Sequence, residues 1–553
     1  MKIGLYLAYA PFPKNYSLKK EGLGRYLAIM VKGFVENNHK ITIACPKWSY
    51  NTILELFKEY NIDFNNLELI TTQNMPLLLK LYYSLGKKKQ EQSKFKIKLY
   101  KASYVFIEKI FSLLLQIRNL GSFIFLLFIG LAAILISLPF LLAAGILHLI
   151  FKIILYIPKK IFKINRIKTL SIKSIINKVY NLSIMAPIKK LLQQNFSQEK
   201  IIKKLRETES GELIKRINMM KEPTDIWYCH NSFWPEFNKI KGVTVLCMPD
   251  IVTEEFPIAF SSIKNIVNST NDITESVENG KYFITYCNYI KETVLENKFC
   301  IDSSRIKSIL MFVNETLPYI NVQETYKKFV NANLFYARQI LQTTPSYNSI
   351  NPFYFIGERP FSMLDIKYIF YSSQVRPSKN ILNLVLAYEY LLRKEIIDCK
   401  LFITGNYDHS LELKQFIEEK GLENDVICFY NVTNQQLSAL YACAELVVNP
   451  TLYEGGFPFT FSEGLSVGTP SIMSNIPQVV EFTDGWGIED CLFDPYNYRD
   501  IAEKILYGLN NRELLVEKQM PLYRMHSNRS KNGQAIEEYI QAFKYFIELE
   551  KNN

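Results

Sequence analysis

Residues 444–470 read AELVVNPTLYEGGFPFTFSEGLSVGTP. The apolar run 444–449 stops at Pro450, a residue with no N–H to give a sheet ladder. A loop carrying Gly455 and Gly456 follows, and the spacing predicts a helix from about Thr460. Strand, glycine corner and helix in this order are the unit of a doubly wound parallel sheet, whose ligands bind beyond the carboxyl ends of the strands. Glycines admit a ligand close to the main chain, and free amides at a helix start favour an anion. Glu454 and Glu463, on either side, can accept hydrogen bonds from neutral hydroxyls. A diphosphate flanked by sugar hydroxyls meets all three conditions. Taken alone, a structural corner with two solvated glutamates fits the same residues equally well.

Working outward, similar runs recur at both ends of the chain. They are IGLYLA (3–8), ITIAC (41–45), DIWYC (225–229), VTVLCM (243–248), YFITYC (282–287) and SILMF (308–312), then YIFYSS (368–373), LFITG (401–405), VICFY (426–430) and PSIMS (470–474). Between them LNLVLAYEYLLRKE (382–395) and LELKQFIEEKGL (411–422) carry the apolar spacing of amphipathic helices. Continuous apolar strands alternating with helices imply parallel sheets covered on both faces. Two such series predict an α/β protein of two Rossmann-like lobes facing a cleft. The first lobe takes 1–80 and 215–318, a linker 319–365, the second lobe 366–528, and an amphipathic C-terminal helix lies within 529–553, able to pack on either lobe.

Residues 81–214 interrupt the first lobe. The whole chain of 553 residues carries a formal +12, yet residues 80–198 hold 20 Lys and Arg against only Glu91 and Glu108. Inside that basic stretch, 33 consecutive residues between Arg118 and Lys152 bear no charge. A bilayer core takes a helix of about 20 residues, so one straight helix is too long. Pro139 near the middle favours a break. The reading is a membrane hairpin at 119–157, two spans or a re-entrant wedge, with a buried core hairpin as the alternative. Lysines on both flanks place both ends at the cytoplasmic face, against anionic lipid. A nucleic-acid role is disfavoured, because the lysines border lipid-like sequence instead of interleaving with aromatics. Nine scattered cysteines without a C-x-x-C argue against a disulfide framework or a zinc site.

A second motif bears on the opening stretch. YSSQVRPSKNI (371–381) sets Arg376 and Lys379 in the loop after the strand at 368–373, where two cations can neutralise a leaving diphosphate. No Asp-x-Asp occurs in the chain, so a carboxylate-held metal is not indicated and protein cations would do that work.

With YSSQVRPSKN and 447–482 side by side, the chain resembles the retaining GT-B glycosyltransferases of the large family 4, and GLYLAYAP…EGLGRYL (4–27) resembles that family's first strand and glycine loop. The resemblance implies a C-terminal lobe that binds a nucleotide-sugar and an N-terminal lobe that binds the acceptor. It places Arg376 and Lys379 on the diphosphate and Glu463 on the ribose. Glu454, Gly455, Gly456, Phe457, Pro458 and Phe459 fall on the transferred sugar, and Gly22, Gly24 and Arg25 across the cleft from the diphosphate. Three departures stand out. Eight residues separate Glu454 from Glu463, one more than the family's usual spacing. Gln374 occupies the position of the family's first cation, with Arg376 as the substitute. Pro249 replaces a His that often precedes the equivalent of Asp250; His230 is a candidate replacement, or a plain structural histidine.

These readings point to a hexosyltransferase-type enzyme, retaining and metal-independent, that needs no cofactor beyond its nucleotide-sugar substrate. It would act at the cytoplasmic membrane face on a lipid-linked or membrane-proximal acceptor, in polysaccharide or glycolipid assembly. The alternatives are another GT-B reaction, such as nucleotide-sugar epimerisation, and a catalytically degenerate membrane scaffold.

Overall fold

The structure, a computed structural model, describes residues 1–11, 18, 22–76, 79, 198–260, 266–322, 332–346, 355–356, 359–360 and 366–552. The hairpin expected at 119–157 lies outside these residues. Among the described residues no helix is long and apolar enough to cross a membrane.

The N-terminal lobe is a seven-stranded sheet of order β3-β2-β1-β4-β5-β6-β7, with every neighbouring pair parallel. Its strands are β1 (Lys2–Tyr6), β2 (Lys40–Cys45), β3 (Leu67–Thr71), β4 (Ile226–Cys229), β5 (Thr244–Cys247), β6 (Tyr282–Thr285) and β7 (Ile306–Ser308). After a two-stranded ribbon, β8 (Phe355–Ile356) and β9 (Arg359–Pro360), the C-terminal lobe adds a six-stranded parallel sheet of order β12-β11-β10-β13-β14-β15. Its strands are β10 (Lys367–Tyr371), β11 (Cys399–Thr404), β12 (Val426–Phe429), β13 (Leu446–Asn449), β14 (Ser471–Ser474) and β15 (Leu492–Phe493). The interior strands β4, β5, β6, β13 and β14, and the edge strand β12, are buried at every residue, as continuous apolar runs require when helices cover both faces. Strand order reverses between β1 and β4 and between β10 and β13, so each sheet opens a crevice there.

Two boundaries differ from the sequence reading, and a choice it left open is resolved. The helix Gln198–Asn218 belongs to the N-terminal lobe, not to the insertion, because Leu213, Ile214 and Ile217 join that lobe's core and Arg216 donates to the Thr71 carbonyl at 3.0 Å. The supposed linker contains the helix Ala332–Gln342, whose Ala337 and Leu341 pack with Ala439 and Tyr441 of the C-terminal lobe. The last helix, Gln534–Asn552, crosses back to seal the N-terminal lobe. Its Ala535, Tyr539, Phe543 and Phe546 recur at helical spacing on one buried face. Tyr539 shares a 2.8 Å hydroxyl hydrogen bond with Tyr26 and stacks on Phe312.

Candidate active site between the lobes

At the C-terminal lobe's switch point, the loops after β10 and β13 are stitched together. The Leu452 amide and the Thr451 hydroxyl donate to the Ser378 carbonyl at 2.8 and 3.2 Å. Asn380, in the left-handed region at φ 54°, donates to the carbonyls of Pro450 and Pro495 at 3.0 and 2.7 Å. This stitching fixes the short turn Pro377–Lys379 against the glycine corner. Lys379 Nζ then reaches Glu454 Oε1 at 2.5 Å, both side chains about a quarter exposed or less. Arg376 donates to Gln374 Oε1 at 2.6 Å, so the residue at the position of the family's first cation orients the cation that substitutes for it.

Asp250 faces this pair from the N-terminal lobe, just beyond β5. Burial raises its carboxyl above the usual range, opposed by the Val252 amide and by the positive charges of Lys379 and Arg376, while Glu454 adds to the rise. Four of the five residues expected to act catalytically therefore meet across the cleft. His230 stands apart at the same edge of the N-terminal sheet. Its Nε2 lies 2.8 Å from the Tyr9 hydroxyl, and its ring packs on Tyr9 and Trp234. Burial pushes its pKa down to about 3, so the ring is neutral at ordinary pH, and Nδ1 has no hydrogen-bond partner among the described residues. No described contact joins it to Asp250.

The glycine corner serves a purpose that the sequence reading did not anticipate. A Cβ on Gly455 would fall 2.1 Å from the Pro249 carbonyl oxygen, and one on Gly456 2.9 Å from Tyr286 Cβ. The corner is one of the places where the two lobes touch, with a Cys287 Sγ contact to the Gly455 carbonyl at 3.6 Å. Phe457 turns into the C-terminal core, stacked on His526 with rings 14° apart, which leaves only its backbone for a ligand. Pro458 is buried at the mouth of the helix Phe459–Leu465, and Phe459 leans across the cleft toward Tyr26. Gly22 opens the helix Gly22–Glu36. Gly24 is required because a Cβ would meet the Leu18 carbonyl oxygen at 2.2 Å.

Glu463 lies one turn into the helix Phe459–Leu465 and is 2% exposed, yet its carboxylate has three donors. Arg25 Nη1 of the opposite lobe is at 3.0 Å, Asn314 Nδ2 at 2.5 Å and the Tyr441 hydroxyl at 2.5 Å. Asn314 and Tyr441 were invisible to sequence reasoning, since neither sits in a motif. Glu481 was also missed; its carboxylate accepts the Asn288 and Tyr289 amides across the lobe boundary at 2.8 and 3.1 Å. An open groove of about 640 Å³ lies elsewhere, at the opposite edge of the N-terminal sheet, beside Met1, Asp225 and Val243.

Two facing Rossmann-type lobes with a charged crevice between them define a GT-B fold. Residues 360–521, which hold the C-terminal lobe's sheet, match the family described as Glycosyl transferases group 1. The chain is 27% identical over 176 residues to the O-antigen chain mannosyltransferase B of Escherichia coli, covering 31% of this chain and 45% of that protein. It thus spans under half the length of that relative. Among solved structures, Staphylococcus aureus TarM in complex with Fondaparinux, alpha-GlcNAc-glycerol and UDP aligns with a TM-score of 0.51 at 13% identity, over 98% of this chain and 99% of that one. Anabaena HepE in complex with UDP and glucose aligns at 0.50 with 11% identity, over 98% and 100%.

Proposed function

We propose that this protein is a glycosyltransferase that moves a sugar, with retention, from a nucleotide-sugar to a lipid-linked or membrane-proximal acceptor. One observation carries the reading: Lys379, Glu454 and Arg376 of the C-terminal lobe gather opposite Asp250 at the carboxyl edges of both sheets. The named ligands of TarM and HepE, UDP among them, are in keeping with a nucleotide donor.

In this mechanism the donor's diphosphate draws Lys379 and Arg376 to itself, and their charge stabilises the departing nucleoside diphosphate without a metal. The bond between the sugar's anomeric carbon and the phosphate oxygen breaks. The acceptor hydroxyl attacks from the same face, and its proton passes to the leaving diphosphate oxygen. Glu454, released from Lys379, is free to accept hydrogen bonds from the sugar's hydroxyls.

The acceptor assignment rests on where residues 80–197 join the fold. Thr72, just after β3, accepts from the Lys47 amide beyond the end of β2, and Arg206 reaches the Phe233 carbonyl beyond β4. Both attachments therefore lie at the carboxyl edge of the N-terminal sheet, the edge that carries Asp250. With the uncharged, lysine-flanked stretch in the sequence, this supports an acceptor presented at the cytoplasmic face of a membrane.

The test is to replace Lys379 and Arg376 singly by Gln and to measure UDP-sugar and GDP-sugar binding by calorimetry, together with transfer to a lipid-linked acceptor. Each variant should keep its circular dichroism and lose transfer by at least about a hundredfold. Full activity in both variants would refute the roles given to them.

A further inference from the structure

We infer that the groove at the amino edge of the N-terminal sheet is a docking site for an acidic, partly apolar peptide segment of a protein partner. The groove lies apart from the cleft. Met1, Asp225 and Val243, which line it, immediately precede β1, β4 and β5. Ile217 and Met220 wall it from the end of the helix Gln198–Asn218, and Ile547 from the helix Gln534–Asn552. Met219, between two lining residues, is 79% exposed, so the apolar lip is uncovered. The walls are pinned before any partner arrives. Trp227 packs so closely over Gly4 that a Cβ there would fall 2.4 Å from the indole. Asn218 accepts from the Lys241 amide at 2.9 Å and donates to the Lys239 carbonyl at 3.3 Å. A preformed surface of this kind spares a partner part of the ordering cost of binding.

Charge chooses the occupant. Asp225 already accepts from the Lys2 amide, Glu550 from Lys281 and the Tyr282 hydroxyl, and the Met1 ammonium faces His39. Of the other charged lining residues, Lys241, Lys544 and Lys551 have no ion pair among the described residues, against Glu548 alone of opposite sign. This surplus runs against the rest of the fold. Outside residues 80–198 the chain carries a net −6, from 65 Lys and Arg and 53 Asp and Glu overall, less the 20 and 2 of that stretch. Lys544 and Lys551 lie two turns apart along one helix, about 10 Å at 1.5 Å per residue, and Lys241 stands on the strand side. One compact anion cannot meet three ammonium groups so spread, whereas a segment with spaced carboxylates can. Its apolar side chains would fill the floor between them. The Thr224 hydroxyl, buried in the wall without a hydrogen-bond partner among the described residues, is placed to bond such a segment. Residues 80–197 join the fold at the opposite edge of this sheet, so the groove stays open to a partner whatever they engage.

The test selects short random peptides displayed on phage against the full chain, counter-selected on the chain carrying Lys544→Glu and Lys551→Glu. Both lysines are exposed, so that variant should keep its circular dichroism. Selected peptides should interleave Asp or Glu with Leu, Ile, Phe or Trp. A fluorescein-labelled copy of the leading peptide, followed by anisotropy, should bind the charge-reversed variant at least about tenfold more weakly. Its binding to the unaltered chain should weaken as salt rises. Lys544→Met with Lys551→Met, which keeps the apolar stems, should lose less and guards against damage to the helix by the reversed charges. Neutral or basic peptides, no selected peptide, or equal binding to the charge-reversed variant would overturn the assignment. Self-association of the unaltered chain in sedimentation velocity, abolished in that variant, would instead give the groove to a second copy. Saturable binding of anilinonaphthalene sulfonate that the variant loses, with no peptide selected, would give it to a small organic anion.

Discussion

Gly455→Ala is the substitution whose consequence follows most directly from distances. The added Cβ would lie 2.1 Å from the Pro249 oxygen and 3.0 Å from its carbonyl carbon, against a practical limit of 3.0 Å for real Cβ contacts. Neither neighbour is a flexible side-chain end, so relief requires the backbones of the two lobes to part by about an ångström. Asp250 follows Pro249 and Glu454 precedes Gly455, so the same movement separates Asp250 from Lys379 and Glu454. A misplacement of about 1 Å can cost roughly a hundredfold in rate. Overpacking in a core costs about 1–3 kcal/mol, but here opening of the cleft relieves it, so each lobe should keep its melting temperature. The assays are transfer kinetics and hydrogen exchange at Asn288 and Tyr289, whose amides bond Glu481 only while the lobes are shut. Turnover should fall about a hundredfold and those two amides should exchange faster. Unaltered turnover with unaltered exchange would show that contact at the corner does not hold the lobes in register.

Other outcomes follow from burial and hydrogen bonding. His230 and His526 have pKa values pushed down to about 3 and about 4, so both are neutral when folded and take up protons when unfolded. Their contribution to stability is complete above about pH 6.5 and is lost as pH falls toward those values, by about 2 kcal/mol per histidine at pH 5. Urea unfolding at pH 7.5 and 5.0 should show this loss, and His526→Gln should flatten it. Asp250 and Glu236, raised by burial, act in the opposite sense, so the difference between variants is the quantity to read. Gln519 is fully buried and bonds both the amide and the carbonyl of Ser471 at 3.0 and 2.6 Å. Gln519→Leu should therefore destabilise the C-terminal lobe by about 2–4 kcal/mol in urea, through two unsatisfied strand groups. A chain lacking residues 85–195, which spares the helix Gln198–Asn218, should leave the membrane fraction yet still act on a short soluble acceptor analogue; loss of activity on the soluble analogue as well as on a lipid-linked acceptor would refute an anchoring role.

Much of the architecture was legible because period and punctuation are local. Buried strands such as LVVN and IWYC read directly as apolar runs, and the corner at 450–458 announced the switch point. Strand β3, LELIT, was missed because this edge strand is only half covered and its Glu68 interrupts the pattern. Two-residue β15 is too short to signal at all. Lys379, Arg376, Glu454 and Asp250 could be nominated from motifs, but their convergence could not, since Asp250 and Glu454 lie some two hundred residues apart in the chain.

By itself the sequence determined two parallel sheets, a glycine corner after β13 and the two cations beside it, because strand burial and turn chemistry depend on neighbours a few residues away. Only the tertiary structure decided that the corner's glycines make room for the other lobe, that Glu463 is shared by Arg25, Asn314 and Tyr441, and that the last helix returns to the first lobe. Those outcomes depend on which surfaces meet across the cleft, and contacts between residues hundreds apart leave no periodic trace in the chain that makes them.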